Sequence, residues 1–208
     1  LQWRDVPVRI EPVGVGDPIP SDADIILGGG GQDAAQGDIG VDMLAKGDQL
    51  RALASDGITM LAICGSYQLL GHEFLTHEGR RIPGIGVLDA VTRGGDARLI
   101  GNHAVQSDWG LLVGYENHSG LTTLGPDAMP LAVTVAGRGN NGSDRTEGAI
   151  AGNVFGTYLH GPVLAKSPRF ADELIRRALR RRGESDELAP LDDSLELAAA
   201  AAAQSRPR

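Results

Sequence analysis

A single cysteine, Cys64, stands between the apolar run of residues 58–63 and Gly65. A strand, a sharp turn and a helix in that order would push its side chain into a cleft, where helix N–H groups and the helix dipole favour a thiolate. A thiolate that attacks a carbonyl carbon needs a group that moves protons near neutral pH, and imidazole suits that task. Of the five histidines, His72 and His77 lie on or after the helix that follows Cys64, His103 lies in a β-rich stretch, and His118 lies at a turn. These four read as exposed or capping residues. His160 closes a second core strand, residues 153–159, from which it could face Cys64 across the strand ends. A tetrahedral oxyanion needs N–H donors, and the loop Gly28 to Gly31 lets a substrate approach with no Cβ in the way. A lone cysteine is read first as a small buried hydrophobe, a reading that the flanking glycine and strand-to-helix context of Cys64 weaken, and the loop alone is ambiguous between a flexible turn, a weak phosphate cradle and an oxyanion hole. Together with His160 they favour acyl transfer. No Gly-x-x-x-x-Gly-Lys-Ser/Thr pattern occurs, so the chain gives little support for a nucleotide site of its own.

The elements that must position these residues follow from periodicity. Residues 6–13 form a strand-like run broken by Pro7 and Pro12, and residues 24–27 read as a buried strand ending in the glycine loop. Val41, Leu44, Leu50 and Leu53 recur as on one helix, with Gly57 as its stop. The helix after Cys64 carries Leu69, Leu70 and Phe74 at helical spacing. Short β-rich runs at 87–92, 98–105, 111–115 and 131–135 suggest an antiparallel or mixed extension of the sheet. Ser167 and Pro168 open a helix over 169–182 with a stripe of Phe170, Leu174, Ile175, Ala178 and Leu179, and an Ala-rich tail at 198–203 suggests a further helix. Strands alternating with helices, with functional residues beyond strand carboxyl ends, make this an α/β sandwich with a mostly parallel sheet flanked by helices.

Composition bounds the rest. The chain has 208 residues, 41% hydrophobic and 22% charged, enough for one domain with a sizeable core. One cysteine excludes an internal disulfide framework and any multi-cysteine zinc site, and it makes a reducing, cytoplasmic setting the expectation. A formal charge of −8, with one basic cluster from Arg176 to Arg182, argues against a nucleic-acid surface. No apolar run approaches the roughly 20 residues of a membrane span.

Cys64-Gly65-Ser66-Tyr67-Gln68 resembles the nucleophile signature of class I (triad-type) glutamine amidotransferases, in the branch that includes the cobyrinate and cobyric acid amidases. Four further motifs are similar to those of glutaminase subunits of lipid II isoglutaminyl synthases. They are Leu27-Gly-Gly-Gly-Gly-Gln-Asp33, Tyr115-Glu-Asn-His-Ser-Gly120, Gly139-Asn-Asn-Gly142 with Thr146-Glu-Gly148, and Gly156-Thr-Tyr-Leu-His-Gly-Pro162. The resemblance implies a flavodoxin-like amidotransferase domain over residues 1–183 and a partly helical tail over 184–208. It implies Cys64 as nucleophile and His160 as its base. It also implies Arg98, in Arg98-Leu-Ile-Gly-Asn102, as the clamp for the substrate α-carboxylate and Gln68 as a residue lining the glutamine pocket. Gly29, Gly30 and Gly31 with Gly65 would form the oxyanion hole, and no metal is implied.

The same resemblance implies hydrolysis of L-glutamine and transfer of ammonia to a MurT-type, Mur-ligase-like partner. That partner would hold ATP and Mg and would amidate lipid II, the pair forming a heterodimer at the cytoplasmic face of the membrane. Two rival readings are an amidotransferase acting on another acceptor, such as a corrinoid carboxylate, and a non-catalytic scaffold. The chain departs from the usual His-x-Glu of class I triads, because Gly161 and Pro162 follow His160. A carboxylate of the partner could supply the third member. The family pattern also has a strand and loop ahead of the point where this sequence begins, so the sequence reads as starting inside its domain.

Overall fold

The computed structural model describes residues 4, 6–30 and 36–205, and the expectation for Gly31 lies outside them. Strands β1 (Ile25–Gly28), β2 (Thr59–Ile63) and β10 (Val154–Thr157) lie parallel, with β9 (Ala149–Ala151) antiparallel on β10, in the order β1-β2-β10-β9. β2 is apolar almost throughout because both its faces are covered, as in the inner strands of parallel sheets. Leu61 joins Phe155, Leu159, Phe170 and Leu174 on one face, packed under α4 (Pro168–Arg181). Met60, Ala62 and Val154 point the other way, toward Leu50 of α2 (Gly47–Ser55) and Tyr67 and Leu70 of α3 (Gly65–Leu70). The α/β sandwich is therefore built as expected around three parallel strands.

The β-rich segment forms a second, six-stranded sheet instead of a continuous extension of the first. A long hairpin of β5 (Ala90–Ser107) and β6 (Gly110–Leu124) is joined by β3 (Glu73–Leu75), β4 (Arg81–Pro83), β7 (Ala132–Ala136) and β8 (Thr146–Glu147). Two single bridges, Tyr115 to His160 and Met129 to Ile150, tie the sheets together. Several local expectations also give way. Residues 6–13 form no strand, since Pro7 and Pro12 lack the N–H groups a ladder needs. β1 is an edge strand with Leu27 64% exposed, so it is only partly buried. The helix expected over residues 41–53 is two helices, α1 (Gln36–Ala45) and α2, and Val41 and Leu44 face outward. Phe74 leaves the helix after Cys64 and enters β3, because Gly71 and His72 already begin sheet pairing with His72 N–H on the Ala90 carbonyl. The tail helix is present as α5 (Ser194–Gln204). The basic cluster on α4 is ion-paired: Arg177 with Glu173, Arg180 with Asp186, Arg181 with Asp56 and Arg182 with Asp24.

Between the sheets lies a buried polar layer, and here the expectation for two histidines fails: His103 and His118 are in the core, neither exposed nor capping. Tyr158 donates or accepts at Thr122 Oγ1 (2.7 Å), and its ring stacks on His118 at 3.6 Å. Gly156 makes room for the buried Tyr67 ring, since a Cβ there would lie 2.1 Å from Tyr67 Cδ2. His118 Nδ1 carries the hydrogen, because its partner at 2.7 Å is the Gly120 carbonyl, while Nε2 is buried without a hydrogen-bond partner among the described residues. Burial lowers the His118 pKa from 6.5 to about 4.

The unfolded chain therefore takes up this proton first. Stability present at neutral pH is lost as pH falls from 6.5 toward about 4, by up to about 3 kcal/mol from this group. His118→Asn, which keeps a donor for Gly120, is expected to show a smaller loss in urea unfolding between pH 7.5 and pH 4.5 than the parent. An equal loss would show that other groups set the acid limit.

Candidate active site

β2 ends at Ile63 and α3 begins at Gly65, so one residue turns the chain. That residue, Cys64, adopts φ 54° and ψ −110°, a conformation that costs a non-glycine residue of order 1–3 kcal/mol. Its surroundings hold it there. Its N–H donates to the Thr157 carbonyl of β10 (2.9 Å), and its own carbonyl accepts the first helical bond of α3, from Gln68 N–H (3.0 Å). The nucleophile elbow expected from sequence is thus present, with Cys64 fixed between two elements.

The glycine loop folds over this turn. Ser66 Oγ donates to the Gly29 carbonyl at 2.6 Å, which ties the loop to the first turn of α3. Gly30 is wedged between the two candidate catalytic residues: a Cβ on it would lie 3.0 Å from His160 Cε1 and 3.3 Å from Cys64 Cβ. Gly65 is buried at the start of α3. Cys64, His160, Gly30 and Gly65 therefore meet at the carboxyl ends of β2 and β10, and Gly29 sits at the end of β1 with open space above it.

His160 is held from the second sheet. Its N–H donates to the Tyr115 carbonyl (2.8 Å) and its carbonyl accepts Tyr115 N–H (3.1 Å). Burial, and then the Arg98 guanidinium, lower its pKa below 6.5, so the imidazole is neutral at neutral pH and free to accept a proton. Nε2 is buried with no hydrogen-bond partner among the described residues, and no ion pair among them involves His160.

Arg98 is exposed beside the register shift of β5 between Gly94 and Leu99. Its Nε donates to Asn117 Oδ1 (3.0 Å) and its Nη2 to the Asn117 carbonyl (3.4 Å). Gln68, one turn into α3, is buried, with its amide nitrogen donating to the Tyr158 hydroxyl at 3.1 Å.

Sequence reasoning about chemistry passed over a set of buried groups behind the site. His103 Nδ1 lies 2.9 Å from Glu116 Oε2, and His103 Nε2 lies 3.8 Å from Glu147 Oε2, with all three side chains fully buried. Glu116 also accepts the N–H groups of Arg138 and Gly139. Burial raises the Glu147 pKa, while His103, the Thr157 hydroxyl and the Tyr158 N–H act against that rise. A signal for Glu116 and His118 exists in the strand alternation, because Tyr115 and Asn117 face outward and Glu116 and His118 inward.

A strained cysteine beside a neutral imidazole, with glycine N–H groups around the same point, can attack an activated or amide carbonyl and form a thioester. This is the arrangement of a cysteine-dependent acyl-transfer enzyme of the triad-type amidotransferase class. The fold agrees with that class. The chain resembles a solved glutamine amidotransferase (TM-score 0.57, 18% identity, 76% of this chain and 80% of that one) and the PurLQS structure from Thermotoga maritima (TM-score 0.55, 18% identity, 81% and 82%).

A model of the CobB/CobQ-like glutamine amidotransferase domain matches residues 4–168, and the chain belongs to that family. Among its relatives is "Lipid II isoglutaminyl synthase (glutamine-hydrolyzing) subunit GatD" of Staphylococcus aureus (strain N315), 35% identical over 198 residues, covering 94% of this chain and 81% of that protein. GatD of Streptococcus pneumoniae is 38% identical over 177 residues, covering 83% and 68%. Cobyric acid synthase of Pelotomaculum thermopropionicum is 37% identical over 158 residues, covering 65% of this chain and 29% of that protein. No helix among the described residues is long and apolar enough to cross a membrane.

Proposed function

We propose that this chain is the glutaminase subunit of a lipid II isoglutaminyl synthase. The observation that carries the reading is similarity: 94% of this chain aligns with the Staphylococcus aureus GatD at 35% identity, and 83% with the Streptococcus pneumoniae GatD at 38%. In this reading the Cys64 sulfur attacks the side-chain carboxamide carbon of L-glutamine, and its proton passes to His160. The tetrahedral oxyanion is held by N–H groups of Gly30 and Gly65. Its collapse breaks the C–N bond as His160 returns the proton to nitrogen, so ammonia leaves and a γ-glutamyl thioester remains. Water, deprotonated by His160, then releases glutamate and the thiol. Arg98 fits the substrate α-carboxylate with a bidentate fork, held in its orientation by Asn117.

The ammonia passes to a MurT-type ligase subunit, which binds ATP and Mg and amidates the D-glutamate α-carboxyl of the lipid II stem peptide in peptidoglycan synthesis. Because the described residues offer His160 no carboxylate, the third triad member comes from that partner, and the pair works in the cytoplasm.

The test is a titration of the ligase subunit into a glutamine-hydrolysis assay, with lipid II amidation followed in parallel. Hydrolysis is expected to be slow for the chain alone and to rise at least about 10-fold on docking, since orienting a catalytic base is worth that much or more. Arg98→Ala should cost about 10- to 100-fold in kcat/KM for glutamine, equivalent to the ~1.5–3 kcal/mol of a charge-assisted contact. Amidation driven by added ammonium should be unaffected. A flat titration overturns the partner-supplied acid. Equal loss of ammonium-driven amidation moves Arg98 out of the glutamine site.

A further inference from the structure

Among the described residues, a cluster of fully buried ionisable side chains, Glu116, Glu147 and His103, lies behind the candidate active site, and Glu147 connects to both of its reacting residues through one short stretch of backbone. Glu147, at the end of β8, is fully buried. Its Oε1 accepts the Thr157 hydroxyl (2.6 Å) and the Tyr158 N–H (2.8 Å). Thr157 in turn does two things. Its carbonyl accepts the Cys64 N–H (2.9 Å), and its hydroxyl oxygen accepts the N–H of Leu159 (3.0 Å), the residue before His160.

One carboxylate oxygen therefore sets the conformation of the stretch from Thr157 to Leu159, from which the nucleophile hangs on one side and the base follows on the other. The opposite oxygen of Glu147 faces His103, which is also braced by Glu116. Glu116 adjoins Tyr115, whose main chain pairs with His160 in both directions. The His160 main chain is thus held by Tyr115 of β6, and the turn that leads to it by Glu147 of β8, two strands whose glutamates share His103 as a buried contact.

We propose that Glu147 is a positioning residue for the amidotransferase reaction: seated on His103, it fixes the Thr157–Leu159 turn and with it the relative placement of Cys64 and His160. It touches no substrate, and its effect is transmitted through hydrogen bonds of the main chain. The role needs an acceptor oxygen at this point more than a charge. A buried N–H and hydroxyl left without that acceptor would rearrange, and displacements on the order of 1 Å between reacting groups cost about 100-fold in rate.

The inference rests on the assignment of Cys64 and His160 as nucleophile and base, and the experiment separates the two. Glutamine hydrolysis is measured for Glu147→Gln, Glu147→Ala and Thr157→Val in the full chain with its ligase subunit, each variant checked for an unaltered circular dichroism spectrum. Alkylation of Cys64 by iodoacetamide is followed against pH in the same samples. Glu147→Ala and Thr157→Val are expected to lower kcat about 10- to 100-fold with KM for glutamine changed less than about threefold. The pH profile of Cys64 alkylation is expected to differ from the parent's in both variants. Glu147→Gln, which keeps the acceptor, should retain most of kcat. If Glu147→Ala does not fold, Thr157→Val alone decides the matter. A folded Thr157→Val with the parent kcat and alkylation profile overturns the proposal, as does a Glu147→Gln as impaired as Glu147→Ala. Should Cys64→Ala or His160→Ala still hydrolyse glutamine, the underlying assignment fails instead.

Discussion

Cys64→Ala is expected to lower glutamine hydrolysis by about 10⁴-fold or more, a loss of at least ~5.5 kcal/mol of transition-state stabilisation, while the fold and docking to a partner persist. The size follows from the chemistry: without sulfur no thioester forms, and the remaining N–H groups act on a water with no positioned nucleophile. Persistence of the fold follows from the position. Cys64 is held by its main chain, through Thr157 and Gln68, and those bonds survive any side chain.

The backbone strain makes the test sharper. At φ 54° an alanine is strained as cysteine is, whereas a glycine is not. Cys64→Gly should therefore be as inactive as Cys64→Ala yet unfold at a higher temperature, with a gain on the order of 1 kcal/mol. Retention of hydrolysis within 10-fold in either variant would remove Cys64 from the nucleophile's role. A glycine variant no more stable than the alanine variant would show that the elbow is unstrained.

The parts of this site that were legible in the sequence are those encoded by neighbouring residues. An apolar run meeting Cys64-Gly65 specifies an elbow because a strand buried on both faces must end before a helix can start. His160 is placed by the same logic at the end of β10. The network of His103, Glu116 and Glu147 was not legible, because it joins β5, β6 and β8 by pairings set by the register of an 18-residue and a 15-residue strand. No local pattern states which carboxylate will meet which imidazole. The histidine at 103 reads as a surface residue for the same reason, since its burial depends on both glutamates arriving. The division into two sheets was hidden too, as isolated bridges such as those at Tyr115 and His160 and at Met129 and Ile150 leave no signature in strand propensity. Where local and long-range constraints conflict, as in the proline-broken run of residues 6–13, apolar alternation alone overstates the strand.

Gly30→Ala is expected to cost about 100-fold or more in kcat for glutamine hydrolysis, and Gly29→Ala less than about 10-fold, although the two residues are adjacent and chemically identical. The difference is spatial. A methyl group on Gly30 would meet His160 Cε1 at 3.0 Å and Cys64 Cβ at 3.3 Å, tighter than such contacts normally run, so the imidazole or the elbow must give way. The elbow cannot yield easily, being tied to β10 and α3, so the imidazole turns and the base leaves its working position. On Gly29 the same methyl meets nothing within 4 Å, and the Ser66 hydroxyl still holds the carbonyl. Neither substitution deletes an N–H group, so a general loss of oxyanion donors cannot separate them. The measurement is steady-state hydrolysis by both variants alongside their unfolding temperatures. Equal impairment of both would mean that the loop acts through flexibility or substrate access. Full activity of Gly30→Ala would mean that His160 works from a rotamer away from Gly30, and the wedge between nucleophile and base would lose its catalytic meaning.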